Sequence, residues 1–120
     1  MVVLDSSVIL RYLLADDETM YKKAKEIVEN ESCLLLPEVL AEVVQILTRL
    51  YKVPREDLAA VLMEFLNFDN VLIGEEYIRA LFLYGHGDME FLEAVLCVYG
   101  EERRVATFDP KLKKCLKKEV

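Results

Sequence analysis

Four acidic residues, far apart along a chain of 120, carry the chemistry this sequence offers: Asp5, Glu42, Glu93 and Asp109. Asp5 stands in VVLDSSVIL, between two apolar segments. Asp is a favoured helix N-cap, and capping accounts for an acid there, although Ser6 or Ser7 can do the same work. Asp109 precedes Pro110, and Asp-Pro is an ordinary helix entry. Glu42 lies in VLAEVVQIL with Val39 and Ile46 a turn away on either side. A charge in that setting is costly to bury unless it is paired or metal-bound, and the polar edge of a helix is the plain alternative. Glu93 shares a helical face with Glu90, and two like charges on a largely apolar face repel unless a cation lies between them. A solvated stripe is the alternative there. Each signal alone is weak. Jointly, carboxylates without a nearby basic partner form the donor set of a hard cation, Mg²⁺ or Mn²⁺ rather than zinc.

For four such distant residues to meet, the fold must converge on them. Val2 to Leu4 reads as a short buried strand, and Ser6 to about Leu14 as a helix closed by Asp16-Asp17. Asp17 can cap a second helix with Met20, Ala24, Ile27 and Val28 on one face. Leu34 to Leu36 is a second strand. Pro37 suits the first turn of a helix running to about Tyr51, and Pro54 opens another to about Phe68. A third strand over Val71 to Ile73 precedes a helix from Glu75 to about Tyr84. GHGD, Gly85 to Asp88, is a turn. Met89 to about Tyr99 is helical, Arg104 to Thr107 is a fourth strand, and Asp109-Pro110 opens a terminal helix. The alternation predicts an α/β fold, a three-layer α/β/α sandwich with a short central parallel sheet of four or five strands, in one domain spanning residues 1–120. Ligands of such sheets bind outside the carboxyl ends of the strands. Asp5 falls at that end of strand one, and Asp109 just past that end of strand four.

Composition narrows the field. Hydrophobic residues make up 54% of the chain, which argues against disorder. A domain of this size has a radius of about 14 Å. No apolar run approaches a membrane span, and no basic-then-apolar leader is read at the N-terminus. Cys33, Cys97 and Cys115 are odd in number and widely spaced, so neither a zinc site nor a disulfide framework is expected, and a reducing cytoplasm is the natural compartment. The abundance of Glu and Lys beside a single Gln hints at a thermophile. The formal net charge of −7 suits a protein that gathers cations better than a general nucleic-acid binder. KLKKCLKK, Lys111 to Lys118, is a local basic exception. Arg11, Arg49, Lys52 and Arg79 are further candidates to steer phosphates at a rim.

The ordered set of motifs resembles the PIN-domain nucleases, most closely the small VapC-like ribonuclease toxins of toxin–antitoxin pairs. LDSSVILRYLLADD is similar to the family's opening, LAEVVQILTRLY to the helix of its second acid, EFLEAVLC to its third-acid motif and VATFDPKL to its fourth. The resemblance spans nearly the whole chain. It implies metal-binding acids at Asp5, Glu42, Glu93 and Asp109, one or two Mg²⁺ or Mn²⁺ ions, and ligand-orienting hydroxyls at Ser7 and Thr107. The family has Asp where this chain has Glu90 and Glu93, so Asp88 and Glu90 are secondary acids. It also implies metal-assisted hydrolysis of RNA, a homodimer, and inhibition by a small antitoxin. Tyr12, Tyr51, Phe65 and Phe82 are candidates for such interfaces.

Two other classes compete. One is a PIN fold of weak or no activity that serves as an RNA-binding or assembly module. The other is a phospho-aspartate protein. The haloacid-dehalogenase type needs a second Asp where Ser7 stands, and the receiver type needs an acidic pair at strand one. His86, the only histidine, rules out a paired-histidine acid/base mechanism, and no nucleophile elbow or P-loop is present.

Overall fold

The structure, a computed structural model, describes residues 1–116. Its elements run β1 (Val2–Val3), α1 (Ser6–Leu14), α2 (Glu18–Asn30), β2 (Cys33–Leu34), α3 (Pro37–Arg49), α4 (Arg55–Leu66), β3 (Val71–Leu72), α5 (Glu75–Gly85), α6 (Phe91–Tyr99) and α7 (Pro110–Leu116). The capping chemistry sets these bounds. Asp17 accepts from the Met20 amide at 3.0 Å and starts α2. Pro37 occupies the first turn of α3. Ala15, with φ at 49°, ends α1 in the left-handed region. Glu90 lies just outside α6, which starts at Phe91, two residues later than the sequence implies. Its amide donates to Glu93 Oε1 at 3.0 Å, so the two acids form a capping arrangement and not a repelling stripe on one face.

The strands form a parallel sheet in the order β1-β2-β3, with Val2 opposite Cys33 and Cys33 opposite Val71. The expected four or five strands are therefore three among the described residues. Arg104 to Thr107 is not a strand: from 104 to 108 no backbone hydrogen bond reaches the sheet. Its sequence explains why. Val105 and Thr107 are half-buried, whereas Ala106 and Phe108 face solvent, Phe108 almost wholly (98%), so little apolar area rewards docking on the sheet.

Pleating divides the sheet into two unequal faces. Leu4, Cys33, Leu35 and Val71 are buried on one side. On the other, Val3 and Leu72 are exposed with half-buried Leu34 between them, a row that a fully covered sandwich would bury. The core continues away from the sheet through Leu40, Val43 and Leu47 of α3, Leu58, Leu62 and Phe65 of α4, and Leu81 of α5. Helices thus extend past a very short sheet, and the molecule is elongated, 53 × 29 × 18 Å, with a radius of gyration of 15.3 Å. Of the interface candidates, Tyr51 and Phe82 are exposed. Phe65 is core, and Tyr12 stacks among Tyr21, Phe65 and Phe68.

One pairing went against expectation. Cys97 on α6 and Cys115 on α7 are joined in a disulfide, and Cys33 alone is free, buried beneath the sheet. Their separation of 18 residues carries no pairing signal, because connectivity cannot be deduced from spacing.

Candidate metal and nucleic-acid site

Asp5 is where β1 hands over to α1. Ser7 donates to the same oxygen, Asp5 Oδ2, from its amide at 3.2 Å and from its hydroxyl at 2.5 Å. These bonds, the hydroxyl first, hold the Asp5 carboxyl below its ordinary value. Capping and a ready anion are therefore one arrangement. The carboxylate stays charged, exposed and fixed at the carboxyl end of the sheet.

Asp109 repeats the device at α7. It accepts from the Lys111 amide at 2.8 Å and the Leu112 amide at 3.3 Å, and its own amide donates to Thr107 Oγ1 at 3.0 Å. Thr107 thus orients the backbone that carries Asp109. The Asp109 carboxyl also lies within hydrogen-bonding reach of the Glu93 carboxyl, the largest of the influences that hold it below its usual range. Two carboxyls so placed share a proton or hold a cation.

Glu42 lies exposed on α3, with no hydrogen bond or ion pair among the described residues. The cost of burial does not arise for it. Asp88 is exposed in the turn before α6. Lys111 reaches it, Nζ standing 3.8 Å from Asp88 Oδ2 and donating to the Asp88 carbonyl at 3.3 Å. The acids are thus not wholly without basic company, since Lys111 also helps to keep Asp109 ionised.

Among the described residues no three His, Cys, Asp or Glu side chains converge closely enough to hold a metal. The structure brings Glu93 and Asp109 together. Glu90 meets Glu93 through the capping bonds of α6 and Asp88 is reached by Lys111, and neither these nor Asp5 and Glu42 complete a cluster of three donors among the described residues. The pair still suits one kind of ion. Mg²⁺ keeps several waters and is commonly held by only one or two carboxylates together with substrate phosphates. The donors are all oxygen, as Mg²⁺ or Mn²⁺ requires.

Two features escaped the sequence reading. Arg55, half-buried at the start of α4, donates to the carbonyls of Tyr84, at 3.0 Å, and Met89, and lies over the Tyr84 ring 4.2 Å from its centroid. It clamps both ends of the turn that leads to Glu90 and Glu93. A cleft of about 600 Å³ opens between α3, α5 and α6, lined by Val44, Thr48, Tyr77, Tyr84 and Phe91, with Glu90 and Glu38 on its wall. Of the rim cations, Arg11 is paired with Asp16 and Arg79 with Glu101. Arg49, Lys52, Lys113 and Lys114 are exposed, while Lys117 and Lys118 lie outside the described residues.

A three-stranded parallel sheet packed against helices, with Asp5 and Asp109 capping α1 and α7, defines an α/β protein. The PIN-domain family model matches residues 2–115, and the chain belongs to the PIN-domain family. No curated protein and no solved structure matches the chain.

Proposed function

We propose that this protein is a divalent-metal-dependent ribonuclease, the toxin of a toxin–antitoxin pair. The contact between Glu93 and Asp109 in a chain of the PIN family carries the proposal. Glu93 and Asp109 would hold the ion, with Asp5 and Glu42 as the further acids. A bound Mg²⁺ or Mn²⁺ supplies Lewis acidity toward phosphate and a lowered pKa for water. The chain's own residues do the rest. Ser7 keeps Asp5 ionised and still, Thr107 and the α7 amides fix Asp109, and Arg55 holds the turn before Glu93. The exposed cations Arg49, Lys52, Lys113 and Lys114 suit phosphate steering at an otherwise acidic surface. A cytoplasmic homodimer restrained by a small antitoxin belongs to the same proposal, with exposed Tyr51 and Phe82 as contact residues.

The test is cleavage of single-stranded RNA with Mn²⁺ or Mg²⁺. Wild type cleaves and Asp5→Asn does not, because an amide cannot replace the anionic ligand. Cleavage that survives Asp5→Asn overturns the proposal. A second reading, a non-catalytic assembly or RNA-binding module, is favoured by the lack of a third acid beside Glu93 and Asp109 among the described residues. Wild type that neither binds Mn²⁺ nor cleaves RNA supports the module.

A further inference from the structure

α7 reaches its place on the fold by an unusual route. The chain leaves α6 at Gly100, and from 104 to 108 it makes no backbone hydrogen bond to the sheet. α7 packs chiefly on α6. Leu112 enters the core, and Leu116 lies against Gly100, where an added methyl would come within 2.2 Å of its Cδ2. The covalent tie is Cys97–Cys115, with Cα atoms 6.1 Å apart.

The tie and the acids occupy the same two helices. Glu93 is one turn before Cys97, about 6 Å along α6, on the same face. Asp109 caps α7 six residues, about 9 Å, before Cys115. Both acids sit at helix starts and both cysteines further on, so the two helices run the same way. A lateral bond between parallel helices fixes their register, and register decides whether the two starts are level. We propose that Cys97 and Cys115 are positioning residues: the disulfide holds α7 in the register that presents Asp109 to Glu93, and its reduction lets α7 slip and parts the pair. The role in cation binding rests on the metal-dependent reading above; the role in register does not.

The switch has a balanced chemistry. A dithiol reductant attacks Cys115 Sγ, the half-buried sulfur, as a thiolate, forming a mixed disulfide and expelling the Cys97 thiolate. Its second thiol closes the reductant's own disulfide and releases Cys115. Two electrons and two protons pass to the protein. Cys33 stays out of the exchange. It is fully buried, donates to the Ile27 and Glu31 carbonyls, and burial pushes its thiol up.

The experiment uses the full chain. Thiol titration in denaturant gives one thiol per chain in the air-purified protein and three after dithiothreitol. Calorimetric Mn²⁺ affinity falls 10-fold or more on reduction and equally in Cys97→Ser/Cys115→Ser. Reoxidation restores it in wild type alone. In a Glu93→Gln background the redox state no longer changes the affinity, which a merely structural disulfide would not produce. Mn²⁺ bound equally in both states, or three thiols in the air-purified protein, overturns the proposal. If neither state binds Mn²⁺, the metal reading fails, and exchange at the Lys111 and Leu112 amides judges the register alone. Exchange 10-fold faster on reduction upholds it, and unchanged exchange overturns it.

Discussion

Ser7 gives both its amide and its hydroxyl to one oxygen of Asp5. The hydroxyl is the larger influence on the Asp5 carboxyl. In Ser7→Ala the amide bond remains, so Asp5 titrates higher than in wild type, followed by carboxyl-carbon NMR. The sign is that of a depressed acid. The stabilisation is complete above the ordinary carboxylate range and disappears as pH falls through the depressed value. In Ser7→Ala the stabilisation is smaller and its loss is complete at a higher pH than in wild type, and Mn²⁺ affinity falls by about 10- to 100-fold, as for other groups that orient a ligand.

Glu42 separates function from stability. It is exposed and unpaired among the described residues, so Glu42→Ala changes folding free energy by no more than about 0.5 kcal/mol. The proposed nuclease loses its cleavage in the same variant. Urea unfolding and an RNA assay on one preparation give both readings. Full activity in a fully stable variant would remove Glu42 from the site.

Tyr12 and Glu29 supply an alkaline test. Burial, then the 2.8 Å hydrogen bond to Glu29, raises the Tyr12 phenol to about 12. The folded value lies above the ordinary one, so the stabilisation is present below about 10 and is lost as pH rises toward 12. Glu29→Gln brings Tyr12 down in an absorbance titration. Tyr99, raised to about 12 by its bonds to Tyr77 and Glu76, does not move.

Arg55 closes the turn before α6. Arg55→Met keeps the apolar stem but leaves the Tyr84 and Met89 carbonyls without their charged donor, at a cost of about 2 kcal/mol by urea unfolding. Amide exchange rises first at residues 86–90, ahead of global unfolding.

What the sequence revealed, and what it concealed, follows the range of the interactions. Asp17, Pro37 and Pro54 mark helix starts through contacts a few residues long, and these are legible. So is the end of β1 at Asp5. Arg104 to Thr107 has the letters of a strand, yet a strand exists only by pairing, and any partner in the sheet lies far off in the chain. Glu90 and Glu93 looked like charges sharing a face, because the start of α6 differed by two residues from the one read. The Cys97–Cys115 bond and the Arg55 clamp join elements whose meeting depends on the whole packing. Motif order names Asp5, Glu42, Glu93 and Asp109 alike, and it does not say which of the four come together; only the packing of α7 on α6 sets Asp109 beside Glu93.

The edge of β1, unpaired among the described residues, and the row Val3–Leu34–Leu72 also govern how copies of the chain behave in concentrated solution. An open edge is a template for another strand. At neutral pH the net charge of −7 opposes non-specific association through that edge. Near the isoelectric point, about pH 4.8, that repulsion is gone while the edge remains. Light scattering across an acid titration accordingly shows its maximum there, and replacing Val3 with Lys lowers that maximum while leaving the secondary structure intact.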